Sequence, residues 1–205
     1  METRPLEGFV DVDSSGAFDV RVEHGDTYSV AVAIDSNLLP LLETRVVGTT
    51  LRITSHYHLH HALPGPHVMV RTPSVAGATL SGSGRLVILS VHETGPVTLR
   101  LSGSGNMDFA GTAPVVKAHL DGSGDVNLAG STERLTLDLE GSGTIDAANL
   151  LAAAGSIELD GSGNVRATIN GPADVSLSGS GDIDVFGNVT LQHSSKSGSG
   201  SIRVH

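Results

Sequence analysis

The tripeptide Gly-Ser-Gly recurs seven times between Gly82 and Gly200, and its spacing constrains the fold more than any other feature of the chain. The first glycines are Gly82, Gly103, Gly122, Gly141, Gly161, Gly179 and Gly198, at intervals of 21, 19, 19, 20, 18 and 19 residues. A period of about 20 residues with no heptad beneath it marks a stack of like supersecondary units. A motif present seven times is architectural, because a catalytic site needs one constellation of groups.

Alignment on the glycines predicts how each unit folds. Two residues before the first glycine stand Leu80, Leu101, Leu120, Leu139, Leu159 and Leu177. Two residues after the second come Leu86, Met107, Val126, Ile145, Val165, Ile183 and Ile202. Even separations put all of these on one side of an extended chain, where side chains alternate. The glycines share that inward parity, so the motif reads as a tight bend with no side chain inside the corner. A second set of turn residues, Gly111, Gly130, Asn149 and Gly187, follows each bend, so the unit is strand, bend, strand, turn.

That unit is too short for a crossover helix. The predicted fold is all-β: a parallel β-helix or solenoid with rungs of about 19 residues, stacked about 4.8 Å apart. Residues 79–205 form the repetitive solenoid. Residues 1–78 form a β-rich layer that starts the stack and caps its end, with strands expected at Phe18–Val22, Tyr28–Ile34, Thr50–Thr54 and His67–Arg71. Ser36–Val47 is less regular and reads as a helical turn. One continuous structural domain is expected. In the final interval, inward positions hold Ser194 and Lys196 instead of aliphatics, which opposes indefinite stacking and limits self-association to a small homo-oligomer through the ends.

Composition narrows the function. The net charge is −10, which argues against a nucleic-acid or anionic-membrane surface. There is no cysteine, so no disulfide framework and no cysteine-based zinc site exists. No apolar run reaches the length of a membrane span. Met1–Glu7 has neither a basic start nor an apolar segment, so no export signal is expected in these residues.

The segments Phe18-Asp19-Val20-Arg21-Val22, Tyr28-Ser29-Val30, Asp35-Ser36-Asn37-Leu38-Leu39, Leu51-Arg52-Ile53 and Leu80-Ser81-Gly82-Ser83-Gly84 together carry a resemblance. From about residue 8 to the end, the chain resembles the putative auto-transporter adhesin, head GIN domain family. The resemblance implies a right-handed parallel β-helix, exported to the periplasm or cell surface and often lipid-anchored. It implies no catalytic residues.

Four features bear on chemistry. His56, His58 and His60 share a face of an extended segment and are imidazole ligands by type, but same-face neighbours nearly 7 Å apart converge poorly on one ion. Asp121, Glu140 and Asp160 form an outward carboxylate ladder one position before the motif. A divalent cation would relieve their repulsion, yet calcium wants oxygens wrapped around it, so a solvated polar face is the expectation. The repeated serines lack the Gly-x-Ser-x-Gly elbow and read as bend residues. Carbohydrate-active catalysis rests on fold analogy alone. The chain therefore reads as a non-enzyme with no cofactor: an envelope module displaying polar ladders to a glycan or protein ligand. The alternative is a self-associating scaffold.

Overall fold

The aliphatic columns of the repeat become columns of buried side chains, except in the last rung, where Ile202 is only partly covered. The computed structural model describes residues 1–37, 39–55 and 67–205. The described elements are β1 (Glu2–Arg4), β2 (Asp11–Gly16), β3 (Asp19–His24), β4 (Ser29–Ala33), a 3-10 turn (Leu39–Leu41), β5 (Leu42–Val47), β6 (Thr50–Ser55), β7 (His67–Thr72) and β8 (Gly77–Gly82). The solenoid continues through β9 (Arg85–His92), β10 (Val97–Gly103), β11 (Asn106–Gly122), β12 (Asp125–Gly141), β13 (Thr144–Gly161), β14 (Asn164–Ile169), β15 (Pro172–Gly179), β16 (Asp182–Phe186), β17 (Thr190–Ser197) and β18 (Ser201–Val204).

Strands pair in parallel with their equivalents one repeat away. Leu101 stands beside Leu120, Leu120 beside Leu139, Leu139 beside Leu159, and Leu159 beside Leu177. All five are essentially inaccessible to solvent and belong to one core cluster running from Phe9 to Val185. Each buried leucine contributes about 2 kcal/mol of transfer free energy, so the stack is held by repetition of one modest term. The fold is the parallel β-solenoid that the period predicts.

The glycines obey a tighter rule than an uncluttered corner. The first glycine of each motif has positive φ, for example 121° at Gly103 and 137° at Gly161. A Cβ on Gly103 would lie 2.6 Å from the carbonyl oxygen of Gly82. At the second position, a Cβ on Gly105 would lie 2.5 Å from the Gly84 carbonyl and 3.0 Å from Leu80 Cδ2. The obstruction is thus the backbone of the neighbouring rung together with its core leucine. Bends stack so closely that neither glycine position has room for a methyl group.

The second set of turn residues needs correction. Gly111 and Gly130 lie inside the continuous strands β11 and β12, where they pair with each other. The chain changes direction there without leaving the ladder, because inter-rung hydrogen bonds hold the backbone extended through the corner. Asn149 is not the equivalent of Gly130: Leu150 pairs with Gly130 and Asn149 with Ala129. A register shift between Asn127 and Ala129 displaces the simple count by one residue.

Ahead of the seven motifs, the stack continues through rungs that carry no Gly-Ser-Gly. β2 and β3 flank Gly16-Ala17-Phe18, pairing in parallel with β8 and β9 so that Gly16 meets Gly82. Phe18 takes the place of a second glycine and buries its ring. On their other side, β2 and β3 pair in parallel with β6 and β7. The chain therefore lays one rung, passes outward to lay another, and returns over the first to continue with β8. β5 runs antiparallel to β6, and β4 antiparallel to β7 and β1. The Ser36–Val47 segment holds the 3-10 turn and then β5, a strand hidden from sequence reading by the neighbouring leucines.

Arg4 completes that end. Its guanidinium donates to the Leu42 carbonyl at 2.7 Å, to Thr44 Oγ1 at 2.9 Å and to the Leu39 carbonyl at 3.3 Å, and it pairs with Glu2 at 2.9 Å. The opposite end differs. All of β17 is exposed, with Ser194 beside Val175 and Lys196 beside Leu177. Among the described residues, no helix is long and apolar enough to cross a membrane.

Candidate binding faces

Because the lumen is packed with aliphatic side chains, the chemistry of this solenoid lies on its outside. Outward residues from successive rungs stand in register as ladders. On the strands leading into each bend, one ladder runs Ser81, Ser102, Asp121, Glu140, Asp160, Ser178 and Ser197. The three acidic residues are direct cross-strand neighbours and all are exposed. Stacked like charges destabilise a sheet. Among the described residues, no group of three or more His, Asp or Glu side chains could hold a metal ion. A flat face with one carboxylate per rung does not enclose a cation as calcium coordination requires. His56, His58 and His60 lie outside the described residues.

The strands leaving each bend carry a different pattern. Several of their carboxylates are paired between rungs. Arg85 Nη2 meets Asp108 Oδ2 at 2.7 Å, and Asn127 Nδ2 donates to Asp108 Oδ1 at 2.9 Å. Arg166 approaches Asp146 at 3.8 Å. Arg203 lies 3.6 Å from Asp182 and 3.5 Å from Asp184. Asp184 also pairs with His205 Nε2 at 3.0 Å, and the His205 ring stacks on Phe186 at 4.7 Å between centroids. The His205 hydrogen bond, followed by Arg203, lowers the Asp184 pKa below the ordinary carboxylate value despite opposing desolvation. Hydrogen bonding from Arg21, aided by Arg71, does the same for Glu23. The ladder of Asp121, Glu140 and Asp160 thus contrasts with Asp108, Asp146, Asp182 and Asp184, each of which meets an arginine of an adjacent rung.

Three His–Asp pairs are functional-looking contacts that the sequence reading passed over. Besides His205–Asp184, His119 Nδ1 lies 2.8 Å from Asp138, and His193 Nδ1 lies 2.8 Å from Asp174. Their signal was available: 19 residues separate the partners in the latter two pairs, which is one rung. Among the described residues, none has a third side chain in hydrogen-bonding contact that would make it a nucleophile-activating set. Among the described residues, a groove of about 390 Å³ runs beside Arg21, Met69 and Arg85.

These features define a repeat protein: a parallel β-solenoid with a filled lumen and in-register polar ladders on its faces. The chain belongs to the family described as putative auto-transporter adhesin, head GIN domain, which matches residues 8–189. No curated protein matches it. Among solved structures, it is similar to a putative adhesin from Bacteroides fragilis, with a TM-score of 0.93 and 22% identity over 100% of this chain and 95% of that one. A putative lipid binding protein from Parabacteroides distasonis matches with a TM-score of 0.75 and 22% identity, over 100% and 96% of the two chains. A putative adhesin from Parabacteroides merdae has a TM-score of 0.71 and 18% identity, over 100% and 95%. At these identities the likeness establishes a shared fold.

Proposed function

We propose that this protein is a non-catalytic binding or adhesion-type module of the bacterial cell envelope, acting in the periplasm or at the cell surface. The observation that carries this reading is the ladder organisation. Asp121, Glu140 and Asp160, flanked by Ser102 and Ser178, repeat hydrogen-bonding groups at the rung spacing on a rigid sheet. Such a face suits a ligand that is itself extended and periodic, a glycan or an extended protein segment, because contacts too weak singly add along the rod. Family membership and the adhesin names of its neighbours support the same reading.

Protease shaving of intact cells expressing the full-length gene product, followed by fractionation and glycan-array binding, tests the proposal. Surface or periplasmic protein that binds an envelope glycan or protein fits it; a protected cytosolic protein overturns it. The name of the Parabacteroides distasonis neighbour favours a second reading, lipid. An acyl chain would have to lie in a surface groove such as the one beside Met69, since the lumen is filled. Failure of Met69→Asp to reduce lipid binding would remove that reading.

A further inference from the structure

Three cations in the middle of the solenoid stand apart from the rest. The chain holds 22 acidic residues against 12 lysines and arginines, so a surface cation has carboxylates to choose from. Every arginine but Arg100 and Arg134 lies within 3.8 Å of one. Arg100, Lys117 and Arg134 have no ion-pair partner among the described residues, and all three are exposed. In a molecule whose overall charge repels anions, such a group marks where an anion is attracted.

The parallel register brings the three together. Arg100 pairs with His119 and Lys117 with Thr136, so each cation from β10 to β12 lies one strand on and two residues back. Residues two apart share a face of the sheet, and the cations form a diagonal row with steps of about 8 Å. Their cross-strand neighbours are uncharged or already engaged. Lys117 stands between Thr98 and Thr136, Arg134 between Val115 and Ala154, and Arg100 between Thr79 and His119, which holds Asp138. Asp121 lies one strand from Arg100, and Glu133 precedes Arg134 in the chain. From there the row diverges from the acidic ladder, since Arg134 and Glu140 stand at opposite ends of one stretch of β12.

We propose that Arg100, Lys117 and Arg134 bind an acidic glycan, each cation taking one of the carboxylate or sulfate groups spaced along it. A guanidinium fork matches such groups in two parallel hydrogen bonds, and the Thr98 and Thr136 hydroxyls flanking Lys117 suit those of a sugar. An acidic peptide fits less well. β10, β11 and β12 are paired on both sides, so no main-chain groups remain to hold an added strand. Nucleic acid also fits less well, because the outer face of these strands offers no Phe, Tyr or Trp on which a base could stack. The site rests on the reading of this chain as a binding module, and its contacts are distinct from the carboxylate ladder.

The test titrates the full chain with octagalacturonate at low salt, followed by backbone amide shifts. A Kd of about 1 mM is expected, with shifts on β10, β11 and β12 and weakening as salt is added. Arg100→Gln, Lys117→Gln and Arg134→Gln, all at exposed positions, should each weaken binding about threefold and together abolish it. Arg166→Gln removes the same charge from an ion pair with Asp146 and should leave binding unchanged. The methyl ester of the oligomer should not bind. No binding of the acid at about 10 mM, indifference to the triple change, or an equal loss in Arg166→Gln overturns the proposal. So does equally tight binding of octathymidylate or octaglutamate, since bare charge would then suffice. Equal binding of acid and ester, lost on neutralising Asp121, Glu140 and Asp160 instead, overturns the cation site and sustains the module reading. That reading falls separately, to a protected cytosolic protein.

Discussion

Gly124→Ala should cost about 3 kcal/mol although it adds one methyl group. Gly124 has no positive φ, so the change carries no dihedral penalty of the left-handed kind. The cost comes from space. The new Cβ would meet the Gly105 carbonyl oxygen, and it would lie 2.9 Å from Leu101 Cδ2 and 3.2 Å from the Gly105 nitrogen. To make room, the two rungs must part at the bend. The bonds there are Gly124 N to Gly103 O at 3.1 Å and Asp125 N to Gly105 O at 3.1 Å. Losing both costs about 2 kcal/mol net. Displacing the buried Leu101 from its packed rotamer adds about 1 kcal/mol. Urea unfolding followed by circular dichroism measures the total, as a drop of about 1 M in midpoint at an m-value of 2–3 kcal/mol/M. Gly95→Ala is the internal control, since a Cβ there meets nothing within 4 Å and should stay within about 0.5 kcal/mol of the parent. A loss below about 1 kcal/mol for Gly124→Ala, or one equal to the control, refutes close backbone approach as the reason for the motif.

Ser14 stands in the leucine column, fully buried beside Leu80 and Ile53, and among the described residues its hydroxyl has no hydrogen-bond partner. Ser14→Ala should therefore stabilise the protein by about 1 kcal/mol in the same urea assay, and destabilisation would show that the hydroxyl is satisfied. The triple change Asp121→Asn, Glu140→Gln and Asp160→Asn removes two like-charged cross-strand contacts and should add about 0.5–1 kcal/mol. Calcium-dependent melting of the parent that vanishes in this variant would contradict a merely solvated ladder. Asp184, with its pKa depressed by His205 and Arg203, stabilises the fold above the unfolded-state value near 4 and loses that contribution as pH falls through its lower folded value. The stability difference between the parent and Asp184→Asn should accordingly be present at pH 6 and gone near pH 2. A difference that persists at pH 2 would point to packing instead of charge.

Local patterning made much of the fold readable. A period near 19 residues, with Leu120, Leu139 and Leu159 at matched positions, specifies parallel rungs because each apolar residue is satisfied only by its equivalent one rung away. The carboxylate ladder was legible for the same reason: Asp121, Glu140 and Asp160 keep a constant place relative to the motif. The His–Asp pairs were legible too, had spacing by one rung been sought among unlike residues. Gly130 and Asn149 mark where the method fails, since a register shift inside a continuous strand leaves no mark on composition.

The sequence by itself therefore determined the rung, the face on which each side chain lies and the need for glycine at the bend, all consequences of side-chain alternation and a constant repeat. The tertiary structure alone decided the order in which the early rungs stack and how each end is finished. β6 and β7 lie outside β2 and β3 although they follow them in the chain. Nothing in a local pattern encodes that choice, because both strand pairs offer the same alternation and differ only in which distant strands they meet. The same holds for Arg4, a surface-type residue whose four contacts are made across the end of the sheet. Long-range pairing is settled by the whole assembly, since its free energy depends on every rung already in place.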